Sequence, residues 1–250
     1  MPARLATSLA LLAGMLLASC NAGPDGTETG DAGKNSVGLF TSLPIYWGEN
    51  EDISALIDGA AEPDWTRSTI EHRFTIVPLD ALEPEMLEGT GRLIMAQPRP
   101  LAPSENVALD NWVRKGGRLL IFADPMLTRH SEFAIGDKRR PQDIVVLSPI
   151  LARWGLRLLF DEEQAEGERF EKAYDGTFPV NLAGRFELGA PGEGSQCMVS
   201  ETGLLAQCTV GEGRVTLLAD AALLDWEGEG DVPPARTGAL DSLVAASLDY

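Results

Sequence analysis

Two segments of the chain end an apolar run on an aspartate in the same way. GRLLIFADPML from Gly117 and GRVTLLADAAL from Gly213 share Gly-Arg, four mostly apolar residues, Ala-Asp and a leucine three residues beyond. A third segment, GRLIMAQ from Gly91, is one residue shorter and ends in Gln97. If the three runs are parallel strands of one sheet, Gln97, Asp124 and Asp220 emerge at its carboxyl edge, where open α/β folds bind ligands. Two carboxylates at one edge suit the coordination of a divalent cation such as Mg²⁺ for metal-assisted hydrolysis. They suit a structural task equally well. An aspartate before Pro125, or before AALLD, is a favourable helix N-cap whose carboxylate accepts otherwise unpaired backbone N–H groups.

Other catalytic groups are scarce. The chain has two histidines, His72 and His130, and contains no H-E-x-x-H or C-x-x-C spacing for a metal. No G-x-S-x-G elbow occurs, and GEGSQC lacks the strand-to-helix context that exposes a nucleophilic serine at Ser195. Without a nucleophile and base, the expectation is a non-enzymatic protein that requires no cofactor and no metal. Arg129, His130, Lys138, Arg139 and Arg140 form the one basic cluster, downstream of Asp124. Such a cluster holds an anionic ligand or a partner's acidic face, or is a solvated loop. Gln97, Asp124, Asp220, Arg129 and His130 are therefore the candidate ligand-binding rim.

The elements that must position this rim follow from the pattern of apolar residues. VGLF, FTIVPL, RLIMAQ and RLLIFAD read as strands, and NEDISALIDGAA, DALEPEMLEG and SENVALDNWVRKGG read as the intervening helices. Strands that are apolar throughout, alternating with helices, indicate a mostly parallel sheet covered on both faces. In SENVALDNWVRKGG, Ser104 suits the N-cap, Glu105 the first turn, Arg114 and Lys115 the last turn, and Gly116 the left-handed stop. SPILARWG repeats the design, with Ser148 as cap, Pro149 at the first helical position and Gly155 as stop. Beyond it LRLLF is a strand, DEEQAEGERFEKAYDGT reads as loop or exposed helix, and TGALDSLVAASLDY closes the sequence as a helix. QCMVSETGLLAQCTV reads as a hairpin inserted into an otherwise doubly wound α/β sheet. A two-residue turn at Thr202-Gly203 sets Cys197 opposite Cys208 at a separation of about 4.5 to 5.5 Å between Cα atoms, within reach of a disulfide.

The formal net charge of -18, from 20 Lys and Arg against 38 Asp and Glu, excludes a duplex-binding surface, so no nucleic-acid partner is expected. Arg4 is followed by the apolar run LATSLALLAGMLLASC, which has the charged start and short hydrophobic middle of an export signal. Its end, Leu17-Ala18-Ser19-Cys20, resembles a bacterial lipobox, in which the cysteine is lipidated and becomes the first mature residue. Residues 1–19 are then a signal peptide, 20–36 a polar tether, and 37–250 a single α/β domain. Lipidation at Cys20 implies a periplasm-facing protein held to a membrane of the bacterial envelope. In that oxidising compartment Cys197 and Cys208 tend to pair.

LDNWVRKGGRLLIFADP, LSPILARWGLRLLFDEEQ and GEGRVTLLADAALLD together resemble the extracytoplasmic domain of GldG-like auxiliary proteins of ABC transporters. That resemblance implies a class I glutamine-amidotransferase-like fold, with the flavodoxin-like arrangement of its sheet, and a transporter subunit as partner. Amidotransferases of this fold carry a cysteine on the sharp turn after a central strand. Here the corresponding turns carry Asp124-Pro125 and Gln97-Pro98, so the resemblance implies the scaffold without amidotransferase chemistry. The expectation is a lipid-anchored binding or auxiliary component of an ABC-type transport system. The alternative is a metal-dependent hydrolase that uses Asp124 and Asp220.

Overall fold

The computed structural model describes residues 35–49, 63–226, 228 and 230–249. The expected signal peptide, Cys20, most of the tether and the helix expected over 50–61 lie outside the described residues. Within them β5 (Leu156–Leu159) and β8 (Arg185–Leu188) form a separate antiparallel pair, and a seven-stranded sheet, whose far edge is β10 (Leu205–Val210) and β9 (Ser195–Val199), has the order β2-β1-β3-β4-β11-β10-β9. Its parallel part comprises β2 (Thr75–Pro78), β1 (Ser36–Thr41), β3 (Arg92–Ala96), β4 (Arg118–Phe122) and β11 (Gly213–Leu218). Relabelled along the parallel part alone, this is the 2-1-3-4-5 order of flavodoxin-like doubly wound folds. β3 is buried along its whole length and β4 from Leu119 onward, as uniformly apolar sequence requires when helices cover both faces.

The three echoing segments become adjacent strands in register. Arg92 pairs with Arg118 and Arg118 with Arg214, while Ala96 lies beside Phe122 and Phe122 beside Leu218. The helices are α1 (Trp65–Glu71), α2 (Pro84–Leu87), α3 (Pro103–Arg114), α4 (Ser148–Trp154) and α5 (Pro234–Leu248). α1 packs on α5, and α2 and α4 pack on α3. Both α3 and α5 lie against β11 but pack on different helices, which puts one group on each face. Close packing at that junction requires Gly213, where an added Cβ meets the Val113 carbonyl oxygen at 1.9 Å. Among the described residues no helix is long and apolar enough to cross a membrane.

The hairpin of β9 (Ser195–Val199) and β10 (Leu205–Val210) extends the sheet beyond β11. Cys197 sits opposite Cys208 with a Cα separation of 4.0 Å, and the two form a disulfide. The register is the expected one, although the reversal is a β-turn closed by the Gly203 N–H on the Ser200 carbonyl at 2.9 Å, centred one residue earlier than Thr202-Gly203.

Three local expectations need correction. α3 starts at Pro103, with Ala102 as cap in place of Ser104, because proline's fixed φ and missing N–H suit the first helical position. Glu105, now in the third position, reaches back to the Ala102 N–H at 2.8 Å. α4 likewise begins at Ser148, with Leu147 as its cap. The polar segment 161–177 contributes no helix. It holds β6 (Arg169–Ala173) and the start of β7 (Gly176–Val180), an antiparallel hairpin turning on Tyr174 at φ 49°. Only Ala173, Phe178, Pro179 and Val180 are buried there, so one solvated face made the segment look like loop.

Candidate functional site

Three of the sequence-predicted rim residues, Gln97, Asp124 and Asp220, do meet at the carboxyl edge, but below the surface. Gln97 follows β3 in the left-handed region, at φ 44°, and is completely buried. Its Oε1 accepts from the Asp124 N–H at 3.0 Å, and its Nε2 donates to the Asp124 carbonyl at 3.0 Å and the Gln142 carbonyl at 2.8 Å. Asp124 Oδ1 accepts from Met126 N–H at 2.8 Å and Oδ2 from Ala221 N–H at 3.1 Å. Asp220 Oδ1 accepts from Ala222 N–H at 2.5 Å and Oδ2 from Asn181 N–H at 2.9 Å. All four carboxylate oxygens thus accept from backbone N–H groups.

Neither aspartate caps a helix in the way its sequence context predicts. The chain after Asp124 is irregular until Ser148, so Asp124 closes a tight turn on Met126 and ties β4 to the loop after β11. Asp220 closes a similar turn onto Ala222, the first residue of a single 3₁₀ turn, Ala222–Leu224. Burial pushes the Asp124 carboxyl up to about 6, against the lowering effect of the Met126 and Ala221 N–H groups. Asp220 is pushed well above the ordinary carboxylate range, first by burial and then by repulsion from Asp124. The two carboxyls are close enough to repel, and their oxygens are already committed. Among the described residues no cluster of three or more His, Cys, Asp or Glu side chains could hold a metal ion.

The basic cluster is divided by the fold. Arg129 pairs with Asp225 at 3.1 Å, and the exposed His130 lies 3.8 Å from Glu132. Lys138, Arg139 and Arg140 are elsewhere, on a cavity of about 720 Å³ beside the carboxyl ends of β1 and β3. In the 2-1-3-4-5 order this is the point where the strand order reverses and a crevice opens.

The loop after β1 forms one wall of the cavity. Thr41 Oγ1 donates to the Ala96 carbonyl at 2.8 Å and accepts from Leu43 N–H at 2.9 Å. Ser42 Oγ donates to the Gln97 carbonyl at 2.5 Å and accepts from Gln142 N–H at 3.0 Å, which pins the loop over the end of β3. This turn delivers Tyr46 and Trp47, whose rings meet edge to face with centroids 4.8 Å apart, and leaves Trp47 61% exposed. Across the opening Arg139 lies 4.2 Å from the centroid of Phe133.

Arg99 is a structural cation of the same wall. It makes two 2.8 Å bonds to the two oxygens of Glu105 and another to the Asp80 carbonyl. The Arg99 guanidinium holds the Glu105 carboxyl at about 2. Other groups on the cavity are unfinished. Glu49 Oε2 accepts from Glu132 N–H at 2.8 Å, while its buried Oε1 has no hydrogen-bond partner among the described residues. Arg140 uses its terminal nitrogens on Phe133 O and Asp143, leaving a buried Nε unpartnered. Lys138 is exposed and makes no ion pair among the described residues. Four cations, Arg99, Lys138, Arg139 and Arg140, line the cavity with two acids, Glu49 and Asp80; Arg99, Arg139 and Arg140 are paired with Glu105, Asp137 and Asp143, which leaves Lys138 as the lining cation without an ion pair among the described residues.

No protein-family model and no curated protein matches the sequence. Among solved structures, the exo-beta-1,4-mannosidase Op5Man5 from Opitutaceae bacterium strain TAV5 aligns at 18% identity over 86% of this chain and 36% of that one, with a TM-score of 0.45. A beta-galactosidase from Bacillus circulans sp. alkalophilus aligns at 10% identity over 86% and 31%, TM-score 0.44. A putative thua-like protein from Bacteroides uniformis ATCC 8492 aligns at 10% identity over 90% and 94%, TM-score 0.39. The chain spans about a third of the length of these two glycosidases.

Sequence reasoning therefore found the carboxyl edge but missed the half of it that is open. TSLPIYWGEN, a loop with adjacent aromatic residues directly after the first strand, was the available signal. In this strand order the loop after the first strand borders the crevice.

Proposed function

We propose that this chain is a non-enzymatic binding component of the bacterial cell envelope. Its ligand site is the cavity at the ends of β1 and β3, and its ligand is a small anionic solute that also carries hydroxyl or amine donors. The observation that carries this reading is the set of unfinished polar groups on one aromatic-walled cavity: Glu49 Oε1 and Arg140 Nε, without hydrogen-bond partners, and Lys138, without an ion pair, among the described residues. A ligand anion satisfies Lys138 and Arg140, a ligand hydroxyl donates to Glu49, and Trp47 supplies a stacking face. The apolar start ending in LASC supports attachment through lipid at Cys20, and the resemblance to GldG-like domains supports service to an ABC-type transporter.

Calorimetric titration of the full chain with citrate and with glucose 6-phosphate tests the site. Saturable binding of at least one is expected, weakened at least tenfold by Lys138→Glu and by Trp47→Ala without loss of fold. No binding of either solute, or binding indifferent to both substitutions, sinks the reading. For the anchor, Cys20→Ala is expected to leave the membrane fraction of cells; equal retention with the wild type removes the lipoprotein assignment. The hydrolase alternative draws on the raised Asp124 and Asp220 carboxyls. Against it stands the commitment of their four oxygens to backbone N–H groups.

A further inference from the structure

Helix α5 buries Leu240, Leu243, Val244 and Leu248, the stripe expected from its spacing. Another of its faces carries only small residues, Ala235, Gly238, Ser242 and Ala246, and these are exposed. A small-residue face ordinarily lets a neighbouring element pack closely. Here β7 of the β6–β7 hairpin lies against the helix without filling the space beside it. Between them lies a second cavity, of about 560 Å³, which shares no residue with the one at the carboxyl edge. Phe170, itself 64% exposed, and Phe178 form its aromatic wall.

Ser247 indicates that the space is meant to be filled. The residue is 4% exposed and lines the cavity, yet its hydroxyl has no hydrogen-bond partner among the described residues. Buried hydroxyls are almost always bonded, and a helical serine usually turns to the carbonyl four residues earlier or to water. Volume, mostly apolar lining and one waiting polar group are the marks of a small-molecule site. Asp175 at the boundary disfavours a carboxylate.

We propose that this cavity binds a neutral, mostly apolar molecule carrying one hydrogen-bonding oxygen, such as a long-chain alcohol or ester, with that oxygen on Ser247. The proposal is independent of the anion site. It is tested on the purified full chain with the neutral fluorescent probe N-phenyl-1-naphthylamine, displaced by 1-octanol or by octane. Wild type binds one probe per chain saturably, and 1-octanol displaces it. Gly238→Phe places a ring on the cavity from a position where a Cβ meets no atom within 4 Å, and weakens probe binding at least tenfold at an unchanged melting temperature. Ser242→Trp, an exposed position on the same face, does the same and serves if the first variant folds poorly. Ser247→Ala weakens competition by 1-octanol about fivefold and leaves octane unaffected. Absence of saturable binding, or wild-type affinity in both blocking variants, overturns the proposal. If 1-octanol competes equally well with wild type and Ser247→Ala, the assignment of Ser247 is overturned.

Discussion

The carboxyl edge of the sheet has two halves built from the same kind of residue and put to opposite uses. Beyond β4 and β11, Asp124 and Asp220 are buried, and every carboxylate oxygen accepts from a backbone N–H. Beyond β1 and β3, polar side chains surround open space and some of their buried atoms have no partner. A polar residue at a strand end is thus not a site in itself. What distinguishes a site is capacity left over after the fold has been satisfied. Gln97 divides the halves: its side chain is spent on Asp124 and Gln142, while its carbonyl anchors Ser42 of the open half.

This contrast can be broken most directly at Gln97. Gln97→Ala takes the partner from the buried Asp124 N–H and from the partly buried Gln142 carbonyl, while the Asp124 carbonyl keeps the Val145 N–H, at a cost of about 2 to 4 kcal/mol. A large fall in melting temperature is expected; a fall of only a degree or so would mean that the closed half is not a structural tie. Asp124→Asn comes next, because an amide replaces two acceptors by one and turns an NH₂ toward a backbone N–H. About 1 to 3 kcal/mol should be lost in denaturant titrations. Added Mg²⁺ should leave the melting temperature of wild type and variant unchanged, whereas a rise in wild type alone would promote the hydrolase reading.

The pH dependence sharpens the same half. Both aspartates have native carboxyls above their unfolded value, so between about pH 4 and pH 6 the folded chain binds more protons than the unfolded one. Their contribution to stability is therefore fully favourable below about 4 and is lost as pH rises through their native values, about 6 for Asp124 and well above the ordinary carboxylate range for Asp220. Glu105, held at about 2, works the other way: its contribution is present above about 4.5 and is lost as pH falls through about 2. Denaturation midpoints should therefore be highest in mildly acid buffer and lower at neutral pH, and Asp220→Asn should flatten the slope between pH 4 and 6. An unchanged slope in that variant would show that other groups set it. The smallest effect is expected in the open half. Trp47→Ala, at an exposed position, should change stability by no more than about 0.5 kcal/mol while removing the ligand's stacking face.

Much of the architecture is written in local pattern. Uniformly apolar strands separated by helices dictated a covered parallel sheet, and the repeated Gly-Arg and Ala-Asp marks identified β3, β4 and β11, which the fold sets side by side in register. Cysteines spaced symmetrically about a turn dictated their own pairing. These features are legible because they depend on side-chain periodicity and short-range geometry, both of which the chain carries with it. The β6–β7 hairpin was illegible for the converse reason: with Ala173 to Val180 supplying nearly all its burial, its pattern is that of a polar loop.

The use of each polar group was decided only by tertiary structure. Asp124 reads in sequence as a helix cap or a metal ligand; Ala221, 97 residues away, takes one of its oxygens. Arg129 and Lys138 read as one cluster, but Asp225 claims the first and the cavity beside β1 receives the second. A hydrogen bond or an ion pair uses up a group's capacity, and its partner can come from any part of the chain. Sequence therefore determined which polar groups reach the edge of the sheet, and folding alone determined which of them still had capacity to bind.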